Sequence, residues 1–184
     1  MTYYMVCLDL RGRPCLVVGG GRVALEKSRG LLDCGADVTV VAPEVDDELA
    51  ALPVRVVERP FAGADVNGRF LVIAATNDRR VNASVSAAAA RCSVPCNGAD
   101  DPELCSFILS AVVRRDPIQV GVSTGGASPA LAQRIRDEVD ALIGPHHAEL
   151  ARRLQELRPW AKRELATYAE RRDFFRQLVE EALA

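Results

Sequence analysis

A chain of 184 residues is long enough for one domain with a sizeable core plus an appendage, and too short for two complete enzyme domains. Its hydrophobic fraction of 49% and charged fraction of 26% are those of an ordinary globular protein, which excludes a disordered chain or a fibre. A formal net charge of -2, with no basic tail or stripe, argues against nucleic acid as a partner. Met1 to Met5 lack a charged leader region, and Asp9, Arg11 and Arg13 interrupt the run that follows. No apolar stretch approaches the ~20 residues that span a bilayer, so no membrane association and a cytoplasmic location are expected. Cys7, Cys15, Cys34, Cys92, Cys96 and Cys105 show no paired metal spacing and read as reduced, small hydrophobes.

In chain order, Cys15 to Val18 is a short apolar run that ends in Gly19-Gly20-Gly21, and Ala24, Leu31 and Leu32 then follow a helical pattern. Gly35 suits the helix end, and Val38 to Ala42 is a second β-branched run closed by Pro43, completing a βαβ unit of about 30 residues. Val54 to Val57 and Phe70 to Ala74 read as further strands, the second apolar throughout, as in a parallel sheet covered on both faces. Val81, Val85, Ala88 and Cys92 share one helix face, and Val94 to Asn97 reads as the next strand.

From Phe107 the pattern changes. Phe107 to Val113, the charged break Arg114-Arg115-Asp116-Pro117, and Ile118 to Val122 predict two strands joined by a turn. Ser128-Pro129 opens a helix with Leu131, Ile135, Val139 and Leu142 on its buried face, stopped by Gly144-Pro145. His146 to Ala184 is helical by pattern and expected to break near Pro159. The fold class expected is α/β. A Rossmann-type parallel sheet domain fills residues 1–112, a β/α segment, to which the resemblance named below assigns dimerisation, residues 113–145, and a small helical extension residues 146–184.

Gly19-Gly20-Gly21-Arg22-Val23-Ala24 fits the dinucleotide fingerprint G-x-G-x-x-G/A, with the strand before and the helix after that the fingerprint requires. Glycine lets the backbone approach a pyrophosphate closely, and the helix start offers free N–H groups; a plain strand-to-helix turn is the competing reading. No acidic residue closes the second strand where a ribose partner is usual. Glu44 is close but follows a proline, so either its side chain or backbone atoms of Ala42 and Pro43 are the ribose contacts, and no arginine is present there for a 2′-phosphate. Thr76 and Asn77 end the fourth strand on the ligand-binding edge, where Thr76 or Asp78 equally suits a helix cap. Asp100-Asp101-Pro102 sets two carboxylates on the same edge, suited to a general base or to turn chemistry. Ser123-Thr124-Gly125-Gly126 is a second glycine turn before a helix, able to receive a carboxylate or phosphate, or simply a capped loop. His146 and His147 diverge by about 100° on a helix and read as a solvated helix start, and no metal site is expected.

Taken together, Asp9 to Arg13, Val17 to Ala24, Lys27, Gly35 to Pro43, Ala74 to Asp78, Asn97 with Asp100 to Pro102, Ser106-Phe107 and Ser123 to Ala132 resemble the precorrin-2 dehydrogenase and sirohydrochlorin ferrochelatase family. This module is found alone or at the N-terminus of sirohaem synthases. The resemblance implies NAD-dependent oxidation of precorrin-2 to sirohydrochlorin, with ferrous iron insertion in some members. It matches the family's acid/base aspartate to Asp100. NAD contacts carry over to Gly19, Gly20, Gly21, Arg22, Val23, Ala42, Pro43, Thr76 and Asn77, and the tetrapyrrole contact that some relatives make carries over to Thr124, within the loop Ser123, Thr124, Gly125, Gly126 read above as a substrate-binding turn. It also implies a homodimer formed through the region after the sheet. Two departures stand out. Ser110 occupies a place where relatives often carry proline, and Gly98-Ala99 replaces a bulkier pair before the aspartate. A non-catalytic NAD-sensing module and a chelatase without need of NAD are the competing functions.

Overall fold

A computed structural model describes residues 3–99 and 101–184. The chain divides into two compact units, Met1–Leu109 and Ser110–Ala184.

The first unit is a five-stranded parallel sheet, β1 (Pro14–Val18), β2 (Asp37–Ala42), β3 (Arg55–Glu58), β4 (Leu71–Ala74) and β5 (Cys96–Gly98), in the spatial order β3-β2-β1-β4-β5. This is the Rossmann-type sheet expected from the apolar runs. Register pairs Val17 with Val40 and Ile73, and Ala74 with Gly98, which brings the carboxyl ends of β1, β2, β4 and β5 to one edge. Alternating side chains divide the core. Cys15, Val17, Val38, Val40, Leu71 and Ile73 pack with Ala24, Leu25 and Leu31 of α1 (Arg22–Leu32) on one face. Leu16, Val18, Val41, Val72 and Ala74 pack on the other with Val85, Ala88 and Ala89 of α3 (Arg79–Arg91). Both faces are therefore covered, which is why these strands read as continuous apolar runs. The short α2 (Asp47–Ala50) follows β2 and buries Leu49. Val54 lies just outside β3.

In the second unit, β6 (Ala111–Arg115) and β7 (Ile118–Val122) form an antiparallel hairpin. Two expectations are corrected here. Phe107 to Ser110 are not strand, and Arg114 and Arg115, read as part of the break, belong to β6. Arg114 is exposed, and Arg115, next along and so on the opposite face of the strand, donates from Nη2 to Asp140 Oδ2 at 2.9 Å. Helix α4 (Pro129–Leu142) is capped by Ser128, whose Oγ accepts from the Leu131 amide at 3.2 Å. Helix α5 (Pro145–Glu164) runs through Pro159, against the expected break. The one backbone bond lost at proline is offset by packing around it, where Ala161 is fully buried and the Trp160 and Phe174 rings lie 5.4 Å apart. The break falls instead at Thr167, which with Glu170 forms a reciprocal cap opening α6 (Tyr168–Leu183). The His146 and His147 rings, expected to diverge, lie 3.9 Å apart between centroids with their planes tilted by 40°, and His147 turns back so that its Nδ1 accepts from the Gly144 amide.

Candidate functional site

The turn between β1 and α1 is wedged between two neighbouring strand ends. Gly19 has φ +131°, and a Cβ there would lie 2.4 Å from the Ala75 carbonyl oxygen. A Cβ on Gly20 would lie 1.8 Å from the carbonyl oxygen of Glu44, and the Gly20 carbonyl accepts from the Asp46 amide at 2.9 Å. These two glycines are thus required by the protein itself. Gly21 differs: a Cβ there would meet nothing within 4 Å, and as N-cap of α1 it offers no side-chain acceptor. The first N–H groups of α1, at Arg22 and Val23, have no side-chain cap, no acidic residue occupies the first turn, and both side chains are exposed. Open space in front of uncapped amides at a positive dipole end fits a pyrophosphate. Ala42 is buried and Pro43 exposed at the adjoining end of β2.

At the end of β4, Thr76 and Asp78 divide the roles that the sequence left open. Asp78 caps α3, its Oδ1 accepting from the Arg80 amide at 2.8 Å, and Arg80 holds its carboxyl below the usual range. The Thr76 hydroxyl donates to Asn82 Oδ1 at 2.7 Å, while Asn82 Nδ2 donates to the Thr76 carbonyl at 2.9 Å. Thr76 therefore locks the strand exit to α3, and Asn77 beside it is exposed.

Beyond β5, Asp100 lies outside the described residues. Its neighbour Asp101 performs turn chemistry: Oδ1 accepts from the Glu103 amide at 3.2 Å, and Oδ2 accepts from Arg79 Nε at 2.8 Å. The segment returns to the strand through Ser106, whose Oγ accepts from the Cys96 amide at 2.8 Å, and through Asn97 Nδ2, which donates to the Phe107 carbonyl at 3.0 Å. A Cβ on Gly98 would come 2.8 Å from Leu104 Cβ, so the departure noted at this position accompanies close packing of the returning loop. Burial pushes the Cys96 thiol up to about 11 and also raises that of Cys105. The Arg79 ion pairs and the Asn82 lock were not read from the sequence. A polar Asn on an otherwise Val/Ala helix face was the available signal for the second.

Ser123, Thr124, Gly125 and Gly126 belong to the second unit. The loop takes φ +64° at Gly125 and +87° at Gly126. Thr124 Oγ1 accepts from the Ser128 amide at 3.1 Å, and Ser123 Oγ accepts from the Gly125 amide at 3.2 Å. Both hydroxyls are thus engaged in shaping the loop before α4. Among the described residues no helix is long and apolar enough to cross a membrane, and no three His, Cys, Asp or Glu gather as metal ligands.

Residues 6–111 match the model of a family described as NAD(P)-binding, and residues 115–142 that of the sirohaem biosynthesis protein central family. The chain is 41% identical over 184 residues to the siroheme synthase of Methylococcus capsulatus, covering 98% of this chain and 39% of that protein. It is 43% identical over 184 residues to the siroheme synthase of Thioalkalivibrio sulfidiphilus, covering 98% and 38%. The chain thus spans about two fifths of the length of these curated relatives. Among solved structures it is similar to SirC, precorrin-2 dehydrogenase, with a TM-score of 0.81 and 28% identity over 99% of this chain and 93% of that one.

Proposed function

The chain belongs to the NAD(P)-binding family represented in siroheme synthases, and on that premise we propose that it oxidises precorrin-2 to sirohydrochlorin with NAD in sirohaem biosynthesis. The observation that carries this reading is likeness to precorrin-2 dehydrogenase along almost the whole of both chains, joined to a glycine turn that leaves the first amides of α1 without a side-chain cap.

When bound, NAD supplies the hydride acceptor, the part of the chemistry no side chain can provide. Gly19 to Gly21 give its pyrophosphate close approach, and the amides at Arg22 and Val23 supply donors. Ala42 and Pro43 would offer backbone to the ribose, and Thr76 and Asn77 would meet the cofactor at the end of β4. The choice of NAD over its 2′-phosphate is supported by charge. Glu44, Asp46 and Asp47 follow β2 as exposed or partly exposed carboxylates, and Arg29 is paired with Glu48 at 2.5 Å. Asp100 takes a proton from the macrocycle as conjugation extends, and the Ser123–Gly126 loop receives a substrate carboxylate.

The working form is a homodimer formed through the second unit, in the cytoplasm. Against the buried face expected of them, Leu131 and Leu142 of α4 are 51% and 72% exposed, while both buried apolar clusters among the described residues lie in the first unit. Sedimentation as a monomer at micromolar concentration would reject that assembly. Six free cysteines suit a reducing compartment.

The test is anaerobic incubation of the protein with precorrin-2 and NAD, following NADH absorbance and the sirohydrochlorin spectrum, then adding ferrous iron. Both signals should grow, and Asp100→Ala should slow them about 100-fold or more, the usual scale of a lost acid/base group. NAD binding without turnover would point to a regulatory module. Sirohaem formed from sirohydrochlorin above the enzyme-free rate, with no NADH produced from precorrin-2, would point to a chelatase.

A further inference from the structure

The segment that follows β5 is tied to α3 from outside. Arg79, the first residue of α3, donates from Nε to Asp101 Oδ2 at 2.8 Å and from Nη2 to Glu103 Oε2 at 2.9 Å. Ser86, two turns along the same helix, donates from Oγ to the Leu104 carbonyl at 3.1 Å. The base of the segment closes on itself, with the Gly98 amide donating to Cys105 Sγ at 3.2 Å. Asp101 keeps only 18% of its side chain exposed and already caps the turn Pro102–Leu104, so its carboxylate has one orientation to offer.

The helix that carries Arg79 is itself fixed to the end of β4 through Thr76 and Asn82. One guanidinium therefore spans from the exit of β4 to the segment after β5, two neighbouring strand ends on the ligand-binding edge of the sheet. Exposed ion pairs add little to global stability, so a fork that engages two carboxylates of one short segment acts chiefly on where that segment sits.

We propose that Arg79 is a positioning residue: it holds Asp101 and Glu103, and with them the segment that follows β5, against the end of β4. This rests on the reading of the chain as a dehydrogenase that uses Asp100. Displacement of a reacting group by ~1 Å costs on the order of 100-fold in rate. Loss of Arg79 should therefore lower kcat and leave nucleotide affinity alone.

The experiment compares the full chain with Arg79→Gln, Arg79→Lys, and the pair Asp101→Asn with Glu103→Gln, alone and combined with Arg79→Gln. Steady-state kcat and KM, NAD affinity, Tm and amide hydrogen exchange over residues 98–106 are measured for each. Arg79→Gln should lose about 10- to 100-fold in kcat, with NAD Kd within about twofold and faster exchange confined to 98–106. Arg79→Lys should fall between, since an ammonium cannot fork to two carboxylates. In the background lacking both carboxylates, Arg79→Gln should add nothing, as expected of groups acting through one tie. Unchanged kcat with unchanged exchange overturns the proposal, as does a drop in Tm with exchange accelerated throughout the sheet. A wild-type chain that forms no NADH fails the dehydrogenase reading by itself. The exchange measurement then decides the tie alone, and equal exchange in wild type and Arg79→Gln overturns it.

Discussion

Separate alanine substitutions at Gly20 and Gly21 pull apart two demands made on the same turn. At Gly20 the new Cβ would overlap the Glu44 carbonyl oxygen at 1.8 Å, whereas at Gly21 it would meet nothing within 4 Å. The clash at Gly20 is with backbone, and the Asp46 amide donates to the Gly20 carbonyl at 2.9 Å, so no side-chain rotation relieves it. The two strand exits must part by about 1.5 Å to reach even a close C···O contact of about 3.3 Å. Overpacking of this kind costs up to about 3 kcal/mol, or roughly 6–12 °C in Tm for a chain of this size. At Gly21, alanine is a poorer N-cap than glycine, but it also restricts the unfolded chain. The two effects partly cancel, leaving under about 1 kcal/mol and a Tm within roughly 4 °C of wild type. The methyl nevertheless stands where the pyrophosphate would meet the free amides of α1. Gly21→Ala should therefore bind NAD at least about tenfold more weakly while remaining folded, a loss of about 1.4 kcal/mol. Thermal melts together with calorimetric titration of NAD read both quantities. A Gly20→Ala protein that melts with wild type, or a Gly21→Ala protein with wild-type NAD affinity, refutes the assignment of the turn.

The other expectations concern the frame around the site. Thr76→Val removes the hydroxyl 2.7 Å from the buried Asn82 Oδ1, and urea unfolding should show a loss of about 1–2 kcal/mol that Thr76→Ser does not; equal midpoints for the two refute the lock. Asp65 accepts from Arg59 Nη1 at 2.8 Å and from the Ala62 amide at 2.9 Å, and these contacts, Arg59 foremost, hold its carboxyl below the ordinary value of 3.8. Its contribution to stability is therefore full above that value and lost as pH falls through the lowered one. The gap between wild type and Asp65→Asn should close below about pH 4, and a gap constant from pH 7 to 3 contradicts the pairing. Burial pushes the Cys15 and Cys96 thiols up to about 11, while Cys7 and Cys92 are exposed. At pH 8, alkylation followed by peptide mass analysis should mark Cys7 and Cys92 in the native protein and the buried pair only in denaturant. Native labelling of Cys96 at the rate of Cys92 breaks the claim.

The sheet was readable because its residues answer to one local rule. In β1, β2 and β4 both faces are covered, so Leu16 and Val17, or Val40 and Val41, point to opposite sides and are both apolar. The hairpin was read less well for the converse reason. Val113 alone among the β6 residues is fully buried, Arg114 and Arg115 lie on exposed positions, and charge within an exposed ribbon imitates a turn. Pro159 misled in the same way, because a proline's local cost says nothing about Ala161, fully buried two residues on, or about the Trp160 ring that meets Phe174 of α6.

The same distinction runs through the site. A glycine fingerprint is a local word and was found, but the reason Gly20 cannot be anything else is the Glu44 carbonyl, 24 positions along the chain and just past the end of β2. The pairing of Arg79 with Asp101 spans 22 positions, and neither residue is unusual where it stands: one opens a helix, the other caps a turn. In a parallel sheet each strand end is separated from its spatial neighbour by a whole crossover, so contacts across the ligand-binding edge are long-range by construction. Sequence therefore reveals which loops carry special turn chemistry, since that chemistry is local. What holds those loops in register, whether Gly20 against Glu44 or Arg79 against Asp101 and Glu103, is decided between strands and becomes visible only in the folded chain.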